Sequence, residues 1–206
     1  FSRQPGQGEP PETRRLVFLV IVGTLPLFLI LPVKKYVEGL GSSPVFVSFA
    51  LLVTGCILFL SDRMATGRKT ARSATVKDVL LVGVAQGIAT IPGLSRSGCT
   101  ISAGMALGFR REFAVRYSFL MSLPAVFGAT LLEVKDTLSA GAGIPDGMLG
   151  KYLLGMVIAG VVGYFAIRLV NLLADKGKFG AFAYYCWIAG AIFLVLSLLG
   201  VTFVHA

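Results

Sequence analysis

The chain has 206 residues, 55% hydrophobic and only 14% charged, with 19 Lys/Arg against 10 Asp/Glu for a formal charge of +9. With a mean hydropathy of +0.82, this composition excludes a soluble globular domain and describes an all-α polytopic membrane protein. The positive charge does not indicate nucleic acid, because the basic residues fall in short loops between apolar runs rather than along one face.

Residues 1–15 form a Pro/Gly/charged segment that opens on Phe1 and lacks the apolar core of a signal peptide. They read as a cytoplasmic loop, the cut end of a longer chain. Residues 16–206 read as a single membrane domain. Five runs approach the roughly 20 apolar residues that a membrane crossing needs: about 16–33, 45–60, 114–133, 152–173 and 182–203. Two shorter runs, 78–91 and 99–109, lie between the second and third. They read as a re-entrant helical hairpin at about 78–109, with residues 92–100 at its tip. Gly83/Gly87 and Gly104/Gly108 give each half a face for close packing, and Ala159/Gly163 do the same on the fourth span. Cys56, Cys99 and Cys186 lie far apart in apolar runs and read as packing residues.

The distribution of Lys and Arg orients the chain. If the hairpin enters and leaves on one side, fourteen of these residues are cytoplasmic and four, Lys34, Lys35, Lys135 and Lys151, lie outside. The carboxyl end then lies outside, and Arg96 remains within the membrane.

The tip, Pro92-Gly93-Leu94-Ser95-Arg96-Ser97-Gly98-Cys99-Thr100, is where chemistry is expected. A guanidinium in hydrocarbon costs at least about 3 kcal/mol on insertion scales, which marks a functional position. A second half-helix starting near Ser97 or Gly98 would offer unpaired N–H groups and the positive end of its dipole. Arg96 can fork two donors onto phosphate oxygens, with Ser95, Ser97 and Thr100 as further donors. The plainer alternative is that these hydroxyls cap the helix and Arg96 satisfies free carbonyls. Neither a Walker loop nor a nucleophile elbow is present. All ten carboxylates fall in loops or at span ends, and the only histidine, His205, is a tail residue. Gln86, two turns before the tip, reads either as a bundle-facing amide or as a site residue.

Pro92, Gly93, Ser95, Arg96, Ser97 and Thr100 together satisfy Pro-Gly-x-Ser-Arg-Ser-x-x-Thr. Around them stand Gln86-Gly87, Gly108-Phe109-Arg110-Arg111-Glu112, Tyr117-Ser118-Phe119, Pro124-Ala125 and Gly128-Ala129. In these features the chain resembles the undecaprenyl-diphosphate phosphatase family, the bacitracin-resistance proteins, from about residue 16 onward. The resemblance implies an inverted-repeat fold whose two hairpin tips meet at the active site. It also implies that the first, glutamate-rich hairpin is absent from this sequence, so that the fragment alone is not a complete enzyme.

The implied reaction is hydrolysis of undecaprenyl diphosphate to undecaprenyl phosphate, which recycles the lipid carrier of peptidoglycan synthesis at the bacterial plasma membrane. Carried over, Arg96 and Ser95 are the catalytic residues, and Gly93, Ser97, Gly98, Thr100 and Gln86 bind substrate. The attacking group lies either at Ser95 or in the absent hairpin. A divalent cation, Mg²⁺ or Ca²⁺, is implied, although no ligand for it is evident here. The implied partners are the polyprenyl diphosphate, membrane lipids and the absent hairpin, with room for a homodimer and none for nucleic acid. The competing reading is a transporter or lipid flippase, since broken helices also build transporter sites.

Overall fold

The structure is a computed structural model that describes residues 11–64, 67–139, 148–175 and 180–199. Among the described residues the regular structure is helical, with one isolated bridge between Lys69 and Phe109. Helix α1 (Pro11–Thr24) continues as a 3-10 segment, Leu25–Val33, and is followed by α2 (Lys34–Leu40) and α3 (Pro44–Arg63). Then come the short helices α4 (Val76–Ile88) and α5 (Arg96–Ala106), and the longer α6 (Arg111–Ser139), α7 (Leu149–Asp175) and α8 (Gly180–Leu198).

Among the described residues four stretches are long and apolar enough to cross a membrane: Thr13–Ile30, Pro44–Arg63, Arg111–Ser139 and Leu149–Leu169. Five were expected. The fifth, α8, holds a shorter apolar run, Phe182–Leu198, and residues 200–206, including His205, lie outside the described residues. α1 starts at Pro11, so residues 11–15 are helix rather than loop. Pro26 and Pro32 lack the N–H that an α-helix needs, and α1 accordingly gives way to 3-10 geometry at Leu25.

α4 and α5, at 13 and 11 residues, are about 20 and 17 Å long at 1.5 Å per residue. Neither spans a core of about 30 Å. They pack against each other, with α4 also against α1 and α5 against α3 and α6. The main core gathers Leu19 of α1, Val79 and Val82 of α4, Ile101 and Met105 of α5, Phe109 of the connection, and Phe113, Tyr117 and Met121 of α6. Tyr117 is 1% exposed and donates its hydroxyl hydrogen to the Leu19 carbonyl at 2.7 Å.

The paired glycines do different work in each half of the hairpin. A Cβ on Gly83 would meet the Gly23 carbonyl oxygen and the Pro26 ring, and one on Gly87 would meet Ile30. That face of α4 therefore packs against α1 and the 3-10 segment. Gly108 is instead a terminator, with φ +87°. It lets Phe109 N–H reach the Gly104 carbonyl at 2.9 Å and close α5. Gly163 of α7 has no neighbour within 4 Å among the described residues.

The loop into α4 is firmly tied. Lys69 pairs through its backbone with Gly108 and Arg110, both at 2.9 Å, and through Nζ with both Asp78 oxygens at 2.9 Å. Thr75 and Asp78 form a reciprocal cap on α4. Burial pushes the Asp78 carboxyl up, but the Thr75 N–H and Lys69 outweigh it and hold it below its ordinary value.

Candidate anion site at the helix break

Backbone order breaks where the sequence places Pro92. α4 ends at Ile88, the chain turns through Ala89–Leu94, and α5 begins at Arg96 with Ser95 as its N-cap. The start is one to two residues earlier than the sequence suggested. Ser95 carries a short side chain in extended geometry, and its Oγ accepts from Gly98 N–H at 3.1 Å.

Gly93 makes the turn with φ +93°. A Cβ there would fall 2.6 Å from the Val47 carbonyl oxygen and 2.8 Å from Ala50 Cβ, so the turn is pressed against α3. Thr54, one turn further along α3 and 1% exposed, secures it as well. Its hydroxyl donates to the Gly93 carbonyl and accepts from Ser95 N–H, each at 3.1 Å.

The cap takes one of the four N–H groups that open a helix. Arg96 and Ser97 N–H have no partner among the described residues, nor does the half-buried Arg96 guanidinium. The Ser97 hydroxyl is exposed and meets only Ser95 Oγ, at 3.5 Å. Two free N–H groups, a guanidinium and a hydroxyl therefore share the first turn of α5, at the positive end of its dipole.

Thr100, 2% exposed, turns away from that turn. Its hydroxyl bonds Ser118 Oγ of α6 at 2.6 Å and the Arg96 carbonyl at 2.9 Å. This bond fixes the register of the hairpin on α6.

A groove of about 970 Å³ opens from this point. Thr90, Arg96 and Ser97 give it polar groups at the helix break, with Leu94 beside them. One wall follows α6 from Ser118 through Ser122, Ala125 and Gly128 to Lys135, about 26 Å. The opposite wall is Leu27, Phe28 and Ile30 of the 3-10 segment. Pro92 and Gly93 also line it, whereas Ser95, Gly98, Thr100 and Gln86 do not. Gly98 is buried, with a built Cβ 3.1 Å from Ser95 Oγ, so its hydrogen is what lets the cap close. Gln86 is 1% exposed, and neither amide atom has a hydrogen-bond partner among the described residues.

The sequence profile of the bacitracin resistance protein BacA family matches residues 2–192. The chain belongs to this family. It is 43% identical over 187 residues to the undecaprenyl-diphosphatase of Halothermothrix orenii, covering 90% of this chain and 71% of that protein. Over 187 residues it is 40% identical to the undecaprenyl-diphosphatase of Carboxydothermus hydrogenoformans, covering 90% and 72%. The undecaprenyl-diphosphatase of Methanothermobacter thermautotrophicus is 42% identical over 186 residues, 88% of this chain and 100% of that protein. Four candidate spans in a BacA-family chain make it a membrane protein.

A hard divalent cation takes carboxylate, carbonyl and water oxygens. The described lining of the groove in this BacA-family chain has no Asp or Glu, and the described residues hold no cluster of three candidate ligands. Asp62 is paired with Arg111 at 2.7 Å and Asp78 with Lys69. The residues around Arg96 therefore do not fit a cation site on their own. Sequence reasoning missed Thr54, and met Ser118 only within the flanking Tyr117-Ser118-Phe119 segment without giving it a role. A hydroxyl inside an apolar span was the available signal for both, but nothing in the sequence says what each one faces.

Proposed function

We propose that this chain acts in hydrolysis of a polyprenyl diphosphate to the monophosphate and inorganic phosphate, the activity by which its relatives are named. The observation that carries this reading is the junction at Arg96. Unpaired cationic and N–H donors stand at one end of an apolar groove about 26 Å long, which suits a ligand with an anionic head and a hydrocarbon tail. The Arg96 fork, Arg96 and Ser97 N–H and the Ser97 hydroxyl bind the diphosphate. As the phosphoryl group transfers, charge on its oxygens is stabilised by the same donors. Ser95, Gly98 and Thr54 act by holding that turn in place, while Thr100 and Ser118 hold α5 on α6. Among the described lining residues there is no carboxylate or histidine, and the roles these residues supply are binding and charge stabilisation.

In the same reading α4 and α5 form a re-entrant hairpin and α8 is a fifth crossing of the bacterial plasma membrane. The excess of Lys and Arg supports an α4 entry loop in the cytoplasm, with Lys135 and the carboxyl end outside.

The test is phosphate release from undecaprenyl diphosphate by the full-length protein carrying Arg96→Lys. An ammonium keeps the charge but not the fork, and loss of one such stabilising group costs about 100-fold in turnover. Near-normal release would remove Arg96 from the site. Translocation of the lipid without release would replace hydrolysis by transport.

A further inference from the structure

The Arg110-Arg111-Glu112 run plays no part in the groove. Two of its members, Arg110 and Glu112, stand at the start of α6 and line a second, separate pocket of about 290 Å³. That is about the volume of ten waters, enough for a head group and too little for acyl chains. We propose that this pocket binds the phosphate head group of an anionic membrane phospholipid.

The charge left over in the pocket favours an anion. Of the neighbouring cations, Lys69 is neutralised by Asp78 and Arg111 by Asp62, while Arg15 holds the Ala74 carbonyl at 3.0 Å. Arg110 meets Glu112 at 3.2 Å in an exposed pair, with 51% and 71% of the side chains accessible. Arg116 lines the pocket with no ion pair or hydrogen bond to a described residue. Among the described lining residues, two guanidinium groups against one carboxylate leave a net positive wall. The first N–H groups of α6 add the positive end of a helix dipole.

The remaining lining favours a lipid over a free ion. Thr13 and Thr70 add hydroxyls, while Leu16 and Phe113 give the pocket an apolar floor. Beyond Leu16, α1 exposes Val17, Phe18 and Ile21, each more than half accessible, so the floor continues onto an apolar helix surface. A ligand anchored by phosphate can thus lay hydrocarbon along α1. The walls are also set in advance. The Lys69 bridge to Gly108 and Arg110, the Thr75–Asp78 cap and the Arg15 bond to Ala74 fix the loop that carries Thr70. Such preorganisation lowers the ordering cost of binding. Basic pockets between membrane helices at the polar boundary are suited to phospholipid head groups.

The experiment uses the full-length protein in neutral detergent, titrated with short-chain phosphatidylglycerol, short-chain phosphatidylcholine and inorganic phosphate. Phosphatidylglycerol should bind the wild type, and Arg110→Gln/Arg116→Gln should weaken that binding by about 30-fold, two cationic contacts' worth. Phosphatidylcholine should bind weakly and indifferently to the change. Turnover of undecaprenyl diphosphate serves as the folding control. If the double variant does not fold, Thr70→Glu, which brings a carboxylate to the pocket mouth, should produce a similar loss. Unchanged phosphatidylglycerol affinity in the folded variant, equal affinity for phosphatidylcholine, or binding of inorganic phosphate as tight as the lipid would each overturn the assignment.

Discussion

Thr54 holds Gly93 from a different helix: its hydroxyl donates to the Gly93 carbonyl and accepts from Ser95 N–H, both at 3.1 Å. The two backbone groups flank Leu94, so one side chain of α3 fixes the path of the turn into Arg96. Thr54→Val keeps the shape and removes both bonds, leaving a buried N–H and C=O unsatisfied at about 1–3 kcal/mol each. The variant should melt several degrees lower and lose about tenfold or more in phosphate release, because Arg96 is no longer held. Thr54→Ser should restore most of both. A Val variant with wild-type melting and turnover would show that the turn is held by other means.

Gly93 is committed both by its backbone angle and by its surroundings. At φ +93° an alanine is strained by about 1–2 kcal/mol. Its Cβ would also press on the Val47 carbonyl oxygen and Ala50 at 2.6 and 2.8 Å. Gly93→Ala should therefore destabilise by about 3 kcal/mol or more, seen as poor yield of folded protein and a depressed melting curve. Gly128 of α6 is the control, because it has nothing within 4 Å and sits inside a helix. Gly128→Ala should leave stability unchanged or raise it by up to about 1 kcal/mol. Equal effects at the two positions would contradict the packing described for the turn.

Much of this arrangement is legible in the sequence, for identifiable reasons. Pro92 and the two flanking glycines announce a break, and the short runs on either side cannot span, so two half-length helices follow from composition and length. The partners of the hydroxyls are not legible. Thr100 looks equivalent to Ser97 in the sequence, three residues apart on one helix. Only the packing of α6 shows that Thr100 faces Ser118 while Ser97 faces the groove. Gly108 matched a packing motif by spacing, yet its left-handed backbone makes it a helix end. Spacing gives the face of a helix, but the occupant of that face is a tertiary fact.

Gln86 stands in the same stripe of α4 as Val79 and Val82, buried beside the core. Its amide has no hydrogen-bond partner among the described residues, and a buried unpaired amide costs about 1–3 kcal/mol. Gln86→Met keeps volume and removes the polar atoms. Melting temperature should rise, by an amount equivalent to about 1 kcal/mol, with turnover within about threefold of wild type. A lower melting temperature would reveal a structural partner for the amide. A large loss of turnover at unchanged stability would reveal contact with substrate.

Asp78 makes stability depend on pH in a defined direction. Its carboxyl titrates below the reference value of 3.8 in the folded protein, because the Thr75 N–H and Lys69 outweigh the effect of burial. A depressed folded value means that the contribution is complete above the unfolded value, near pH 4, and fades as pH falls through the lower folded value. Asp78→Asn keeps an acceptor for Thr75 N–H and gives up the charge opposite Lys69. Since Lys69 is 37% exposed, solvent screens the pair, and the loss at pH 7 should be modest, about 1 kcal/mol. The melting gap between wild type and variant should be constant from pH 7 to about pH 5 and close as the pH is taken below 4. Taking the difference removes the titration of the other carboxylates, which both proteins share. A gap that persists unchanged at pH 3 would mean that the charge on Asp78 contributes nothing and that only its capping geometry matters.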